Sequence, residues 1–107
     1  MRLSPKRPDS VELFSWDCRV QIQSGKGGTI SSIVGVYEEA DDGTNVPSSS
    51  VTVLSTPVSD SSGYIISATL GGGTVGQTHK MTAEYITTQG EHLFHTIAFD
   101  CKAVVVG

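Results

Sequence analysis

The stretch from Leu70 to Glu91, LGGGTVGQTHKMTAEYITTQGE, constrains the fold more than any other part of this chain. A glycine-rich turn runs directly into an alternating segment, with Met81, Ala83 and Tyr85 falling on one side. A second glycine-containing turn follows, and EHLFHTIAFDCKAVVV then alternates again. Period-two alternation marks a half-buried strand, because successive side chains point to opposite faces. The chain therefore closes on a strand, a tight connection and a strand, with no helix between them. That pattern suits structure and assembly better than catalysis.

The same alternation recurs upstream. Val11–Gln23 predicts one long strand carrying Phe14, Trp16, Cys18, Val20 and Ile22 on a single face. After the turn Ser24–Gly28, the segment Thr29–Glu39 predicts a second strand, with Ile30, Val34 and Val36 sharing a face. Val51–Thr56 is a short strand, and Tyr64–Leu70 alternates with Tyr64, Ile66, Ala68 and Leu70 together. Gln77–Thr88 and His92–Val106 complete the set. Residues 40–50 and 57–63 are polar and read as loops. Six or seven short strands without helical periodicity predict an all-β sandwich. Its expected core is Phe14, Trp16, Val20, Ile66, Met81, Tyr85, Ile97 and Phe99. At 107 residues there is material for one domain with one modest core.

The closing hairpin can be registered further. With Gln89–Glu91 as a three-residue loop, Tyr85 faces His95, Ala83 faces Ile97, Met81 faces Phe99 and His79 faces Cys101. One face is then largely apolar, and on the other Lys80 meets Asp100 as a favourable cross-strand pair. A two-residue loop would mix apolar and polar partners on both faces, so the pattern selects an odd-length loop.

Charge is divided unevenly along the chain. Residues 1–9 hold Arg2, Lys6 and Arg7 against Asp9, whereas the remainder holds four basic against ten acidic residues, giving −4 in all. Pro5 and Pro8 disfavour a helix at the start. The division predicts an extended basic arm over 1–9 and a single acidic β domain over 10–107. Arg2, Leu3, Pro5, Lys6, Arg7 and Pro8 are candidate partner-binding residues, and a solvated tail is the alternative. The acidic segment Glu38, Glu39, Asp41 and Asp42 is the complementary candidate, able to dock a basic neighbour such as another subunit's arm. No apolar run reaches the length of a membrane-spanning helix, and nothing predicts nucleic-acid binding or secretion.

Candidates for chemistry have simpler structural explanations. Gly71–Gly76 lacks the Gly-Lys-Ser/Thr that cradles a nucleotide phosphate, and it reads as a turn needing positive φ. His92 and His95 are three apart, on opposite faces of a strand, and cannot share a metal ion. His79 and Cys101 across the hairpin are too few for structural zinc, and no orienting residue accompanies them as a thiol catalyst. The acidic segment offers oxygen ligands but no recognisable calcium-loop spacing. No cofactor and no catalytic residue is expected. Cys18 and Cys101 both fall on apolar faces, where inert core thiols or an inter-strand disulfide are the two outcomes, and inert thiols are expected.

Several segments carry a family resemblance. Ser4-Pro-Lys-Arg-Pro-Asp-Ser-Val-Glu-Leu-Phe-Ser-Trp-Asp17 resembles the opening of small tailed-bacteriophage virion proteins, which begin with a Lys-x-Pro-Asp-x-Val-like stretch and an aromatic first strand. Gly28-Thr-Ile-Ser-Ser32, Gly72-Gly-Thr-Val-Gly-Gln-Thr-His79 and Thr87-Thr-Gln-Gly90 are similar to that set's later turns, with His79 in place of an aromatic residue. The set is described as fibre–tail adaptor or neck-associated proteins. The resemblance implies an Ig-like sandwich and a non-catalytic structural role, joining or covering subunits at the neck or tail. It also implies a virion location after assembly in the host bacterial cytoplasm, with other virion proteins (neck, tail, fibre or capsid subunits) as partners in a homo-oligomer or symmetric ring. A capsid decoration protein on the head shell is the alternative, and a carbohydrate- or host-surface-binding Ig-like module is the second.

Overall fold

A computed structural model describes residues 6, 10–40, 43–44, 46 and 49–101. Among these described residues, seven strands and one short helix occur in the order β1 (Glu12–Asp17), α1 (Arg19–Ser24), β2 (Ile30–Glu38), β3 (Val51–Val53), β4 (Val58–Ser59), β5 (Ile65–Gly72), β6 (Thr78–Thr87) and β7 (His92–Asp100). The strands form two antiparallel sheets. In the first, β5 is central, with β1 on one edge and β3 on the other. Val53 pairs with Leu70 and Val58 with Ser67, so β3 and β4 run in succession along the same strand, interrupted near Pro57. Proline lacks a backbone donor and is confined to such edges. The second sheet has the order β2-β6-β7.

Both sheets turn their alternating apolar residues inward. Phe14, Trp16, Ile66, Ala68 and Leu70 from the first meet Met81, Ala83, Tyr85, Ile97 and Phe99 from the second in one core. The rings of Phe14 and Phe99 lie 5.0 Å apart between centroids. Trp16 crosses from sheet to sheet, its Nε1–H donating to the Met81 carbonyl at 3.0 Å. Full burial of an indole is tolerated because its one donor is satisfied.

Three local expectations are corrected. The first strand ends at Asp17, and residues 19–24 are helical. Asp17 Oδ1 accepts the Arg19 amide at 3.1 Å and starts the turn. Cys18 and Ile22 are four apart, so helix and strand both place them on one side, and both are buried. Val20 distinguishes the two conformations: it is 80% exposed and leaves the core. Gln21 fastens this short helix, its Nε2–H donating to the Phe94 carbonyl at 2.7 Å and its Oε1 accepting from the Tyr85 hydroxyl.

The second correction lies in β2. Its pairing with β6 shifts by one residue between Ile30 and Ser32, and again between Ile33 and Gly35. Two bulges therefore bring Ile30, Ile33 and Val36 opposite the inward-facing Thr87, Tyr85 and Ala83, while Val34 is exposed. The third is the hairpin register. The loop has three residues as expected, but they are Thr88–Gly90, because the Thr87 amide donates to the Glu91 carbonyl at 2.9 Å. Gly90 takes φ of 82°, the left-handed residue that ends a turn of this length. Every pair moves by two positions: Tyr85 faces Leu93, Ala83 faces His95, Met81 faces Ile97 and His79 faces Phe99. The buried face is unchanged. Lys80 stands opposite Ala98, and Asp100 is opposite Thr78, whose hydroxyl donates to it at 2.6 Å.

Candidate functional site

The glycine-rich connection between β5 and β6 is tied to several distant parts of the chain. Gly72 and Gly73 have φ of 77° and 115°, which swing the backbone out of the sheet ladder. A Cβ on Gly72 would lie 2.3 Å from the Ser50 carbonyl, and one on Gly73 would lie 3.0 Å from Cys101 Sγ. The Gly73 amide donates to the Ser50 carbonyl at 3.0 Å, and the Gly76 amide to the Cys101 carbonyl at 2.9 Å. Val75 is exposed near the tip of the turn.

A buried polar chain supports it from below. His79 is 1% exposed and uses both ring nitrogens. Nε2 accepts the Thr74 amide at 3.0 Å, so the ring proton sits on Nδ1 and is donated to Glu38 Oε2 at 2.8 Å. The other Glu38 oxygen accepts from the Ser49 hydroxyl. Glu38 comes inward because the two bulges of β2 set it opposite Met81 on the core side. The chain links β2, the approach to β3, the turn and β6. A serine, an acid and a histidine are all present, but the carboxylate lies between the other two. The hydroxyl therefore has no basic nitrogen beside it, and the arrangement fixes structure without activating a nucleophile.

Lys6 arrives at the same end. It is 1% exposed, and its amide donates to the Asp100 carbonyl at 2.7 Å in a parallel bridge with Cys101. Its Nζ donates to the Ser10 carbonyl at 2.5 Å and the Gly72 carbonyl at 2.9 Å. Of the partner-binding candidates, Lys6 and Glu38 are thus brought together around the Gly72–His79 segment, each engaged within its own chain. Glu39 lies on the outer face of the second sheet, its Oε2 accepting from Thr82 and Thr96 at 3.3 Å each. Arg2, Leu3, Pro5, Arg7, Pro8, Asp41 and Asp42 lie outside the described residues.

Sequence reasoning missed the roles of Ser49 and Lys6. Ser49 sits in a polar loop and gives no signal. Lys6 lies in a segment that reads as a basic arm directed at a neighbouring subunit, with a solvated tail as the alternative, and neither reading buries it in its own chain. His79 did give one, as a polar residue in register with apolar ones.

The remaining titratable groups are tuned by burial. The Cys18 thiol is pushed up to about 11, chiefly by desolvation, which holds it in the unreactive thiol form. Burial likewise raises the Tyr85 hydroxyl. Both thiols are free. His95 is lowered from 6.5, again mainly by burial, and faces Ala83, whereas His92 lies on the opposite face and pairs with Glu84 at 2.6 Å. Among the described residues, no three His, Cys, Asp or Glu gather into a metal-binding group, and no helix is long and apolar enough to cross a membrane.

The outer face of the first sheet differs in kind. Leu13, Ser15, Ser67, Thr69, Gly71, Thr52, Leu54 and Val58 occupy most of it without a charge, and Asp17, opposite Ile65, stands at one end. Leu54 and Val11 converge over Gly71, and the Ser15 and Ser67 hydroxyls bond each other at 3.0 Å. Leu13 is 70% exposed, with Val11, Leu54 and Val58 also open to solvent. Compared with protein-family models, curated proteins and solved structures, the chain matches none of them.

Proposed function

We propose that this chain is a non-catalytic structural component of a tailed-phage virion, an Ig-like sandwich that joins or covers subunits at the neck or tail. The observation that carries the contact role is the largely uncharged, aliphatic outer face of the β1-β5-β3 sheet. A chain of net charge −4 confines the charge on this face's paired strands to Asp17 at one end and leaves four aliphatic side chains exposed on the rest. Contiguous exposed apolar surface of this kind marks contact with another protein. The Ig-like assignment is supported by strand order. Ordering β1-β5-β3 against β2-β6-β7 corresponds to strands B, E and D facing C, F and G in an immunoglobulin-type sandwich. The parallel bridge of Lys6 to the end of β7 suits an N-terminal strand lying beside the last one. The non-catalytic assignment is supported by the engagement of His79 and Glu38 in structural hydrogen bonds.

The test is a charge placed on the face. Leu13→Asp and Leu54→Asp change exposed side chains, so each variant folds with nearly unchanged stability. Incorporation into purified particles is expected to fall sharply for both. Normal incorporation of both folded variants would refute this use of the face.

A further inference from the structure

An interface between two copies of one chain sets a patch against itself, so each group on it must suit its own kind. Aliphatic side chains do, and so do hydroxyls, which both donate and accept. Charges of one sign do not. Among the described residues, the outer face of the β1-β5-β3 sheet meets this condition. Leu13, Leu54 and Val58 are exposed on it, and the Ser15 and Ser67 hydroxyls between them bond each other at 3.0 Å. Two copies of a chain of net charge −4 repel, and they meet at least cost where the facing surfaces carry least charge. The outer face of the second sheet is unlike it, since Glu39 and Glu84 both stand there.

Charge also sets the direction of such a pair. Asp17 lies at one end of the face, opposite Ile65, and Asp60 lies at the same end, its amide donating to the Ile65 carbonyl at 2.9 Å. Parallel strands across the interface would bring these carboxylates against their own copies. Antiparallel strands place each acidic end against the other end, where Val11 and Thr52 flank Gly71. Size sets the strength. Three strands about 4.8 Å apart, with outward positions about 6.8 Å apart along each, span roughly 15 by 25 Å. A pair then buries on the order of 1,000 Å² in total, at the small end of specific interfaces. Association is accordingly weak for free chains and strengthened where an assembly holds copies side by side.

We propose that two copies of this chain pair face to face through the β1-β5-β3 sheet, with strands antiparallel across a twofold axis. That axis lays β1 over β1 and sets Leu13 near its own copy. The pairing rests on the reading of this face as a contact surface and names the partner as a second copy.

Sedimentation velocity of the full chain at concentrations up to about 0.5 mM tests it, a range suited to a small interface. The average mass is expected to rise toward twice the 11.3 kDa of one chain, and more steeply at high salt, which screens the repulsion of two acidic chains. Leu13→Asp and Leu13→Lys are each expected to weaken association at least roughly tenfold, because a like charge is then buried against its own copy. An equimolar mixture of the two is expected to recover the dimer, since Asp and Lys then meet. Phe94→Asp, on the outer face of the second sheet, is expected to leave association unchanged. A chain that stays monomeric throughout overturns the pairing. So does equal loss of the dimer in Phe94→Asp and Leu13→Asp, or a mixture that associates no better than its components. If the chain is monomeric and Leu13→Asp still fails to enter particles, the face meets a different protein and only the choice of partner falls. If the chain pairs through this face and Leu13→Asp enters particles normally, the pairing stands and the use of the face in the virion falls.

Discussion

Replacing His79 with Phe tests the polar chain at the turn while conserving an aromatic ring against Phe99, whose centroid lies 5.5 Å from that of the imidazole. The substitution removes two hydrogen bonds. The one from Nδ1 reaches a carboxylate whose side chain is 12% exposed, and bonds to charged groups contribute about 1.5–3 kcal/mol. The other, from the Thr74 amide, lies where water can replace it and contributes nearer 0.5 kcal/mol on the same scale. Added apolar contact offsets part of the loss. The net expectation is a destabilisation of about 2–3 kcal/mol, equivalent to a fall in Tm of roughly 10–15 °C for a domain of this size. Urea unfolding at pH 7, followed by the fluorescence of buried Trp16, measures it. Glu38→Gln supplies the second edge of a double-mutant cycle. With Glu38 neutral, losing His79 is expected to cost about 1 kcal/mol less, since partners in one network do not add. A loss under about 0.5 kcal/mol for His79→Phe, or strict additivity in the cycle, would refute the coupling of His79 to Glu38.

Two further outcomes follow from the core and its edges. Val20→Lys is expected to change stability by less than about 0.5 kcal/mol, whereas Ile22→Ala costs about 2–4 kcal/mol. A strand running through residue 20 would instead make Val20→Lys severely destabilising. His95 has its folded-state pKa lowered by burial, so the unfolded chain takes up the proton first. Its contribution is complete above pH 6.5 and declines as the pH falls through 6.5 toward the lower folded value. His95→Gln should flatten that part of the stability profile between pH 7.5 and 5.5 in urea titrations, and an unchanged slope would count against the shift.

Much of the architecture was legible in the sequence because period-two alternation reports burial directly. The faces of β5, β6 and β7 follow from it, and seven of the eight expected core residues are buried. The failures share a cause. Cys18 and Ile22 satisfy strand and helix spacing alike, so only Val20 carried the distinction. In β2, bulges at two places replace alternation by a spacing of three, so Ile33, not Val34, shares the inward face with Ile30 and Val36. The hairpin loop had the right length, but Gly90 in the left-handed region fixed its position two pairs away from the apolar-matched register. Of the site, the glycine turn was visible as a turn. Its ties to Lys6, Ser50 and Cys101 join residues far apart in the chain, which local pattern cannot pair.

The central claim is that the protein is a built-in part of a phage particle, and its position there is directly observable. Purified virions carrying a tagged copy, labelled through the tag and imaged by electron microscopy, are predicted to show label at a single vertex, at the neck or tail. Label spread over the head shell would contradict the neck placement in favour of decoration, and unlabelled particles from cells that make the protein would contradict the virion role itself.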